Sequence, residues 1–258
     1  KPTLDDTVTY EGSGFLRYDR EPDVADLVRE KLQREEMPDG YVYELLEPTK
    51  ALLLRYKALC EEKGSQLMIL LFPNLTAHAL AEPGFLPYGE SLMRYCREND
   101  IPCFNFQYAK AEYLQNLDGY YYDLYHMNGT GADLFSAFFA RFFNAYTSGE
   151  DVSGWFYADQ AQYLASIDRI TNVWLSVGEG VYIADCNRGT LVTPQYRFVS
   201  VAADGTETTL LDDGESDTIS AALVPDGETL RVYAVPKGQE NAVSVWYDLS
   251  ERSPRVES

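Results

Sequence analysis

Histidine is scarce in this sequence: His78 and His126 are the only two among 258 residues. Histidine exchanges a proton most readily near neutral pH, so chemistry based on a general base has few possible locations here. The cysteines form no Cys-x-x-Cys motif and no cysteine–histidine metal pattern, and the acidic turn at 212–217 does not match a calcium loop. We therefore expect no metal site, and we interpret the cysteines as buried free thiols, with disulfides as an open alternative. The four are Cys60, Cys96, Cys103 and Cys186.

Basic residues are also few, with 21 lysines and arginines against 41 aspartates and glutamates and a net charge of −20. An acidic surface repels phosphate backbones and anionic lipid, which argues against nucleic acid as a partner. No apolar run approaches the roughly 20 residues of a membrane-spanning helix, so we predict no membrane-spanning segment. The start at Lys1 is typical of a mature or trimmed chain, and no targeting signal indicates a localisation.

Residues 49–146 show the alternation of helices and strands that is typical of an α/β domain with a parallel sheet. Gly64 follows the first helical pattern as a natural stop, and the last helix, which starts near Gly129, carries phenylalanines on one face. The continuous apolar run at 67–72 is typical of a parallel strand covered on both faces. We predict helices near 52–60, 89–99 and from 129, and strands at 67–72 and 101–106.

Two parallel strands do not make a stable sheet, and a central strand needs a neighbour on each side. Residues 1–45 offer at most one more strand, near Thr7–Tyr10, followed by a turn at 12–14 and a charged helix over 23–35. We therefore expect that an upstream segment of the natural protein, or a second chain, completes the sheet.

After about residue 150 the pattern changes to short alternating segments separated by turn residues. About seven strands in about 90 residues predict an antiparallel sandwich of immunoglobulin-like architecture, although no Cys…Trp…Cys signature is present. The strand candidates are 172–177, 180–184, 195–201, 206–211, 218–223, 229–235 and 242–247. We predict two domains: an α/β domain over 1–150 and an all-β accessory domain over 151–258.

The segment from Asp123 to Gly131 carries the strongest functional signal, because it places Asp123 and His126 just ahead of the last helix. A carboxylate beside an imidazole fixes its tautomer and stabilises its protonated form, as a general base requires. The pair lies in a loop that leaves the carboxyl end of a predicted strand, where α/β sheets bind ligands. The structural alternative is that Asp123 and Asn128 only cap the helix while His126 packs on its first turn.

Other residues on the same side of the predicted sheet are candidates for substrate contacts. Asn74 follows the first strand, and His78 comes soon after it. The tyrosines at 120–122 and 125 offer apolar faces with polar tips, which suit stacking on sugar rings. We assign substrate binding to Asn74, His78, Tyr122 and Tyr125; a structural histidine and a loop packed by its own aromatic side chains are the alternatives.

Together with the segments 56–64 and 95–101, the block Asp123-x-x-His126-x-Asn128-x-x-Gly131-Ala resembles the C-terminal half of an SGNH (GDSL-type) hydrolase, in the branch associated with O-acylation of bacterial polysaccharides. The resemblance covers about residues 45–146. It implies a flavodoxin-like three-layer fold, a Ser-His-Asp triad in which Asp123 orients His126, no cofactor, and an extracytoplasmic location. The implied substrate is an acyl ester or an acylated carbohydrate.

The sequence departs from that family where the nucleophile belongs. A Gly-Asp-Ser-like turn is absent, and Ser13 is the only glycine-flanked serine upstream of the Asp-x-x-His block. Two hypotheses follow: an SGNH-like esterase or O-acyltransferase, of which this chain is a fragment or a divergent member, and a non-catalytic extracellular protein that binds carbohydrate or protein. For the 258-residue chain alone we predict negligible esterase activity.

Overall fold

The computed structural model describes residues 8–12, 15–19, 43–212, 214, 216–239 and 245–249. The chain forms two compact units and passes from the first to the second between Tyr163 and Leu164. Ser13, the weak candidate for a nucleophile, and the charged helix predicted over 23–35 lie outside the described residues.

The first unit contains the longer helices. Pro48 lies in the first turn of helix α1, and Gly64 follows its end at φ +69°, the left-handed conformation in which many helices stop. The helices predicted near 52–60, 89–99 and from 129 are confirmed. The described helices are α1 (Glu47–Glu62), α2 (Thr76–Ala81), α3 (Phe85–Glu98), α4 (Gly129–Thr147) and α5 (Gln160–Ser166). None of them is both long and apolar enough to cross a bilayer.

An antiparallel hairpin near the start of the chain packs against helix α4. Strand β1 (Val8–Gly12) pairs with strand β2 (Phe15–Tyr18), with Val8 opposite Tyr18. Arg17 of β2 forms an ion pair with Asp133 of α4 at 2.9 Å and another with Asp19 at 2.7 Å. These contacts bring the hairpin to the beginning of α4, where the Asp123–His126 loop also ends.

Strands β3 (Ile69–Leu71) and β4 (Cys103–Asn105) pair in parallel, and Ile69 lies opposite Cys103. Both strands arise where the sequence predicts them, but the sheet they form has only two strands among the described residues. All residues of β3 are half-buried and the following Phe72 is exposed, so the apolar run is not covered on both faces. The expectation that another segment or chain completes this sheet stays a prediction.

The core of the first unit is aromatic. Phe135, Phe138 and Phe142 lie on one face of α4 and are buried against Phe106, which directly follows β4. The ring of Phe106 meets those of Phe138 and Phe142 edge-on, with centroids 5.7 and 5.2 Å apart, in the arrangement that aromatic rings prefer. This cluster anchors α4 on the parallel pair and thereby fixes where the preceding loop must end.

Helix α1 turns much of its apolar surface to solvent. None of its residues is buried, and Leu52, Tyr56 and Leu59 are all exposed. No described residue buries this apolar face. Exposed apolar surface of this kind is often a site of interaction.

The second unit consists of two antiparallel sheets that enclose a common core. Each predicted strand segment overlaps an observed strand. One sheet has the order β5-β6-β9 and the other the order β11-β10-β7-β8. The strands are β5 (Ile170–Val177), β6 (Val181–Arg188), β7 (Pro194–Val201), β8 (Glu207–Leu211), β9 (Thr218–Ser220), β10 (Thr229–Pro236) and β11 (Val245–Asp248).

The predicted fold class, a partial flavodoxin-like SGNH domain followed by an immunoglobulin-like sandwich, is therefore wrong. In the described part of the chain the sheets other than β3–β4 are antiparallel, and one parallel pair does not make a flavodoxin-like core. The error has a physical origin: an apolar run shows that a strand has apolar neighbours, but it does not show that further strands pair with it.

Candidate functional site

A short loop between Tyr121 and Met127 holds the predicted catalytic pair. Its two ends form an antiparallel bridge, and the backbone N–H of Tyr122 donates to the carbonyl of His126 at 3.0 Å. One residue further out, the N–H of Asn128 donates to the carbonyl of Tyr120 at 2.9 Å. The loop is thus closed on itself immediately before α4 begins.

Asp123 is the acceptor at the centre of this loop. Its Oδ1 accepts hydrogen bonds from the backbone N–H groups of Tyr125 at 2.8 Å and His126 at 2.7 Å. Partial burial raises the pKa of Asp123, but the hydrogen bonds from Tyr125 N–H, the His126 ring and His126 N–H outweigh it, so the pKa lies below its ordinary value. Asp123 is therefore an ionised carboxylate at neutral pH.

The imidazole of His126 lies against this carboxylate. Its Nδ1 is 2.9 Å from Oδ2 and 3.0 Å from Oδ1 of Asp123. Because an ionised carboxylate only accepts hydrogen bonds, Nδ1 carries the proton and Nε2 is left as the basic nitrogen of the neutral ring. The His126 side chain is 63% exposed and that of Asp123 is 35% exposed, so the ring is accessible while its acid is partly covered.

Asn128 and Gly131 have structural reasons for their positions. The Oδ1 atom of Asn128 accepts from Gly131 N–H at 2.9 Å and caps α4, and its Nδ2 donates to the carbonyl of Gly119 at 2.7 Å. A Cβ atom on residue 131 would collide with the carbonyl oxygen of Tyr120, which explains the glycine. The capping alternative is thus correct for Asn128. It is wrong for Asp123, which bonds to its own loop, and for His126, which is exposed.

Aromatic rings surround the pair and connect it to His78. Tyr122 stacks on His126 with centroids 5.5 Å apart, and Tyr18 of β2 stacks on the other side of Tyr122 at 4.4 Å. Tyr125 meets His126 edge-on at 6.3 Å and meets His78 edge-on at 4.7 Å. We call Tyr18, Tyr122, His126, Tyr125 and His78 the aromatic row.

His78 lies at the buried end of the aromatic row. It is 7% exposed, and its Nδ1 has no hydrogen-bond partner among the described residues. Burial lowers the pKa of His78, an effect that nearby Glu82 opposes. The ring also meets Phe85 at 5.9 Å. His78 is thus a neutral, buried histidine. It lies between Tyr125 of the Asp123–His126 loop and Phe85 of α3.

Asn74 is tied to the same region through its backbone. Its N–H donates to Oε1 of the buried Gln107 at 2.7 Å, and its carbonyl accepts from Nδ2 of Asn116 at 3.1 Å. Asn116 in turn accepts from the hydroxyl of Tyr121 at 2.6 Å. The structure therefore places Asn74 two hydrogen bonds away from the Asp123–His126 loop, and it places Tyr122, Tyr125 and His78 in the aromatic row.

Two features of this region differ from the sequence-based expectation. Tyr121 is fully buried, so its face is unavailable for stacking on a sugar. Tyr18 was not a candidate, yet it stacks on Tyr122. The signal for it was present in the alternating residues 15–18 after the turn at 12–14, which predict the second strand of a hairpin.

No nucleophile accompanies the pair in the described part of the chain: no serine, threonine or cysteine side chain there hydrogen-bonds to His126. Among the described residues there is likewise no group of three or more histidine, cysteine, aspartate or glutamate side chains that could hold a metal ion. The cysteines are free thiols; Cys96 and Cys186 are buried, and Cys60 and Cys103 are half-buried.

Comparisons with known proteins assign no family. No family model matches the sequence, and no curated protein matches it. Among solved structures, the chain is similar to one described as the structure of Bacillus cereus PatB1 with sulfonyl adduct, at a TM-score of 0.31 and 14% identity, over 79% of this chain and 70% of that one.

Proposed function

We propose that Asp123 and His126 form the acid–base half of an acyl-transfer site of the SGNH type, acting on an acyl ester or an acylated carbohydrate. One observation carries the proposal: Nδ1 of His126 lies 2.9 Å from a carboxylate oxygen of Asp123 while the ring is 63% exposed. A structural histidine with a carboxylate partner is usually covered by its surroundings. This one keeps Nε2 available to a reacting alcohol.

In the proposed reaction a serine hydroxyl attacks the ester carbonyl and transfers its proton to Nε2 of His126. The bond between the carbonyl carbon and the leaving alkoxide then breaks, and the His126 imidazolium protonates that alkoxide. A carbohydrate hydroxyl or a water molecule then attacks the acyl-serine and transfers its proton to Nε2. The bond from the acyl carbon to the serine oxygen breaks, and the imidazolium returns a proton to that oxygen. Asp123 stabilises the imidazolium in both halves through the Nδ1–H hydrogen bond. The serine is not assigned to a described residue.

The aromatic row supplies the substrate side of the proposal. Tyr122 is held between Tyr18 and His126, so its ring is fixed next to the reacting nitrogen. Tyr125 is exposed and meets both histidines edge-on. We propose that Tyr125 contacts the sugar or acyl group, that Tyr122 sets the plane of the imidazole, and that Asn74 and His78 border the same pocket.

The test is ester hydrolysis by the product of the complete coding sequence, with p-nitrophenyl acetate and an O-acetylated polysaccharide as substrates. We expect His126→Ala to lower kcat/KM by about 10²- to 10⁴-fold, the usual contribution of a general base. Asp123→Asn should lower it by at least about tenfold, because the ring loses its orientation. Equal rates for the parent and His126→Ala would refute the role of the base.

Asp151 offers a matched control for the Asp123 variant. Its Oδ1 also accepts a backbone N–H two residues ahead, from Ser153 at 2.9 Å, and its pKa is likewise lowered, chiefly by that bond. No histidine ring contacts it among the described residues. Asp151→Asn removes the same charge from the same kind of turn and should leave kcat/KM unchanged. A loss equal to that of Asp123→Asn would mean that charge removal alone explains the effect.

The second candidate function is a non-catalytic protein that binds carbohydrate or protein. The observation that favours it is the lack of a hydroxyl or thiol hydrogen-bonded to His126 in the described part of the chain. It predicts binding of the polysaccharide without turnover, and a loss of that binding in Tyr125→Ala but not in His126→Gln. Strong hydrolysis by the 258-residue chain that disappears in Ser13→Ala would instead identify a complete enzyme.

A further inference from the structure

A cavity of about 390 Å³ opens on the outer face of the four-stranded sheet in the second unit. It arises from the alternation of β10: Leu230, Val232 and Ala234 are buried in the core, while the residues between them point away from it. The size is that of a small-ligand site. The lining residues are Gln195, Tyr196, Arg197, Asp212, Gly214, Tyr233 and Val235.

Arg197 is the cation of this cavity. Its guanidinium lies over the ring of Tyr233, the residue opposite it on β10, at 4.5 Å from the centroid. No carboxylate among the described residues lies within ion-pair distance of Arg197. The charge of Arg197 contributes to lowering the pKa of Glu207, but the ion pair of Glu207 is with Arg231.

The neighbouring Arg231 shows what a structural arginine on the same face looks like. It lies over the ring of Trp246 at 4.1 Å and forms ion pairs with Glu207 at 2.5 Å and Asp248 at 3.0 Å. Both carboxylate partners are thereby occupied with Arg231. Arg197 shares the aromatic contact of Arg231 but not its ion pairs, so its N–H donors remain available to a ligand.

Asp212 and Gln195 complete the set of polar groups. Asp212 lines the same cavity as Arg197 and yet does not pair with it, and neither Asp212 nor Gln195 makes a side-chain hydrogen bond among the described residues. A donor and an acceptor that face one cavity without meeting match a ligand that both donates and accepts. Tyr233 and Val235 provide an apolar wall beside them.

We propose that this cavity binds a neutral carbohydrate. Adjacent sugar hydroxyls accept from Arg197 and donate to Asp212, Gln195 does either, and the apolar face of the sugar ring lies on Val235 beside the Arg197–Tyr233 pair. The charges of the site favour a neutral ligand over an anion, because Asp212 and the net charge of −20 repel negative charge. The proposal is independent of the Asp123–His126 site.

The test is a titration of the intact chain with cellotetraose, chitotetraose, maltotetraose and xylotetraose, followed by calorimetry and by NMR of the second unit. We expect at least one to bind with a Kd between about 10 μM and 10 mM, with little dependence on salt. Arg197→Ala and Asp212→Ala should each weaken that binding by about tenfold or more, because each leaves a sugar hydroxyl unpaired.

Arg55 supplies the matched control, since it is exposed on α1 and Arg55→Ala makes the same change in net charge as Arg197→Ala. It should bind the oligosaccharide as the parent does. Arg197→Lys keeps the charge but loses the planar set of donors, so it should also weaken binding. Because it is a milder change than alanine, it separates the loss of these donors from misfolding. The proposal is overturned if none of the four neutral tetrasaccharides binds at about 10 mM. It is also overturned if Arg197→Ala and Arg197→Lys both bind like the parent. Tighter binding of galacturonate or inorganic phosphate than of the neutral sugars would overturn it as well.

Discussion

Asn128 is the residue through which the fold holds the Asp123–His126 loop in place, and its replacement is the sharpest test of this architecture. Its side chain caps α4 at Gly131 N–H and also donates to Gly119, while its backbone N–H ties the loop to Tyr120. Asn128 is 2% exposed, so water does not replace these partners when the side chain is removed. We consider Asn128→Ala, with Asn128→Ser as the comparison.

The magnitude follows from two lost hydrogen bonds. Loss of an N-cap costs about 1 to 2 kcal/mol when the amide it satisfies is buried, as Gly131 is. Loss of the bond from Nδ2 to Gly119 adds about 0.5 to 1.5 kcal/mol. Asn128→Ala should therefore lower the free energy of unfolding of the first unit by about 1.5 to 3.5 kcal/mol and its Tm by about 5 to 12 °C. Asn128→Ser keeps an uncharged capping oxygen and should lose only the second contribution.

The assay is urea unfolding followed by circular dichroism at 222 nm, which reports on the first unit because the longer helices lie there. Exchange of the Gly131 amide with solvent should be faster in Asn128→Ala than in Asn128→Ser. The capping argument would be refuted if Asn128→Ala cost less than about 0.5 kcal/mol, or if alanine and serine were equally destabilising.

Three further predictions concern single features of the first unit. Because burial lowers the pKa of His78, the unfolded chain takes up a proton more readily than the folded chain. Stability should therefore be full above about pH 6.5 and should fall as the pH drops below it, and His78→Gln should flatten this fall in urea midpoints measured against pH. The added methyl group of Gly131→Ala should collide with Tyr120 and destabilise the protein by about 1 to 3 kcal/mol in thermal unfolding. It should also shift the NMR signals of the His126 ring nitrogens. Wild-type NMR signals in that variant would contradict the packing of Gly131 on Tyr120. Leu52→Ser and Leu59→Ser should each lower the free energy of unfolding in urea by no more than about 1 kcal/mol, since these side chains are already 48% and 49% exposed. A larger loss would show that a partner covers this face of α1.

The order and type of most elements could be read from the sequence. Apolar spacing, Gly64 after α1 and Asn128 before α4 predict helices that the structure contains, and turn residues separate the strands of the second unit where expected. The neighbourhood of Asp123 and His126 was also predictable, because a carboxylate three residues before a histidine in a closed loop can reach Nδ1 without help from distant residues.

Only the tertiary structure decided how many strands share a sheet, which tyrosines are buried, and which residues join across long sequence separations. The apolar run at β3 is compatible with a large parallel sheet, yet it pairs with β4 alone among the described residues. Tyr121 is buried and Tyr125 exposed, and Tyr18 reaches Tyr122 from a separate hairpin. Helices, caps and turns depend on neighbours within a few residues, which the sequence displays directly. Strand pairing and ring stacking depend on groups that come together only when the chain folds.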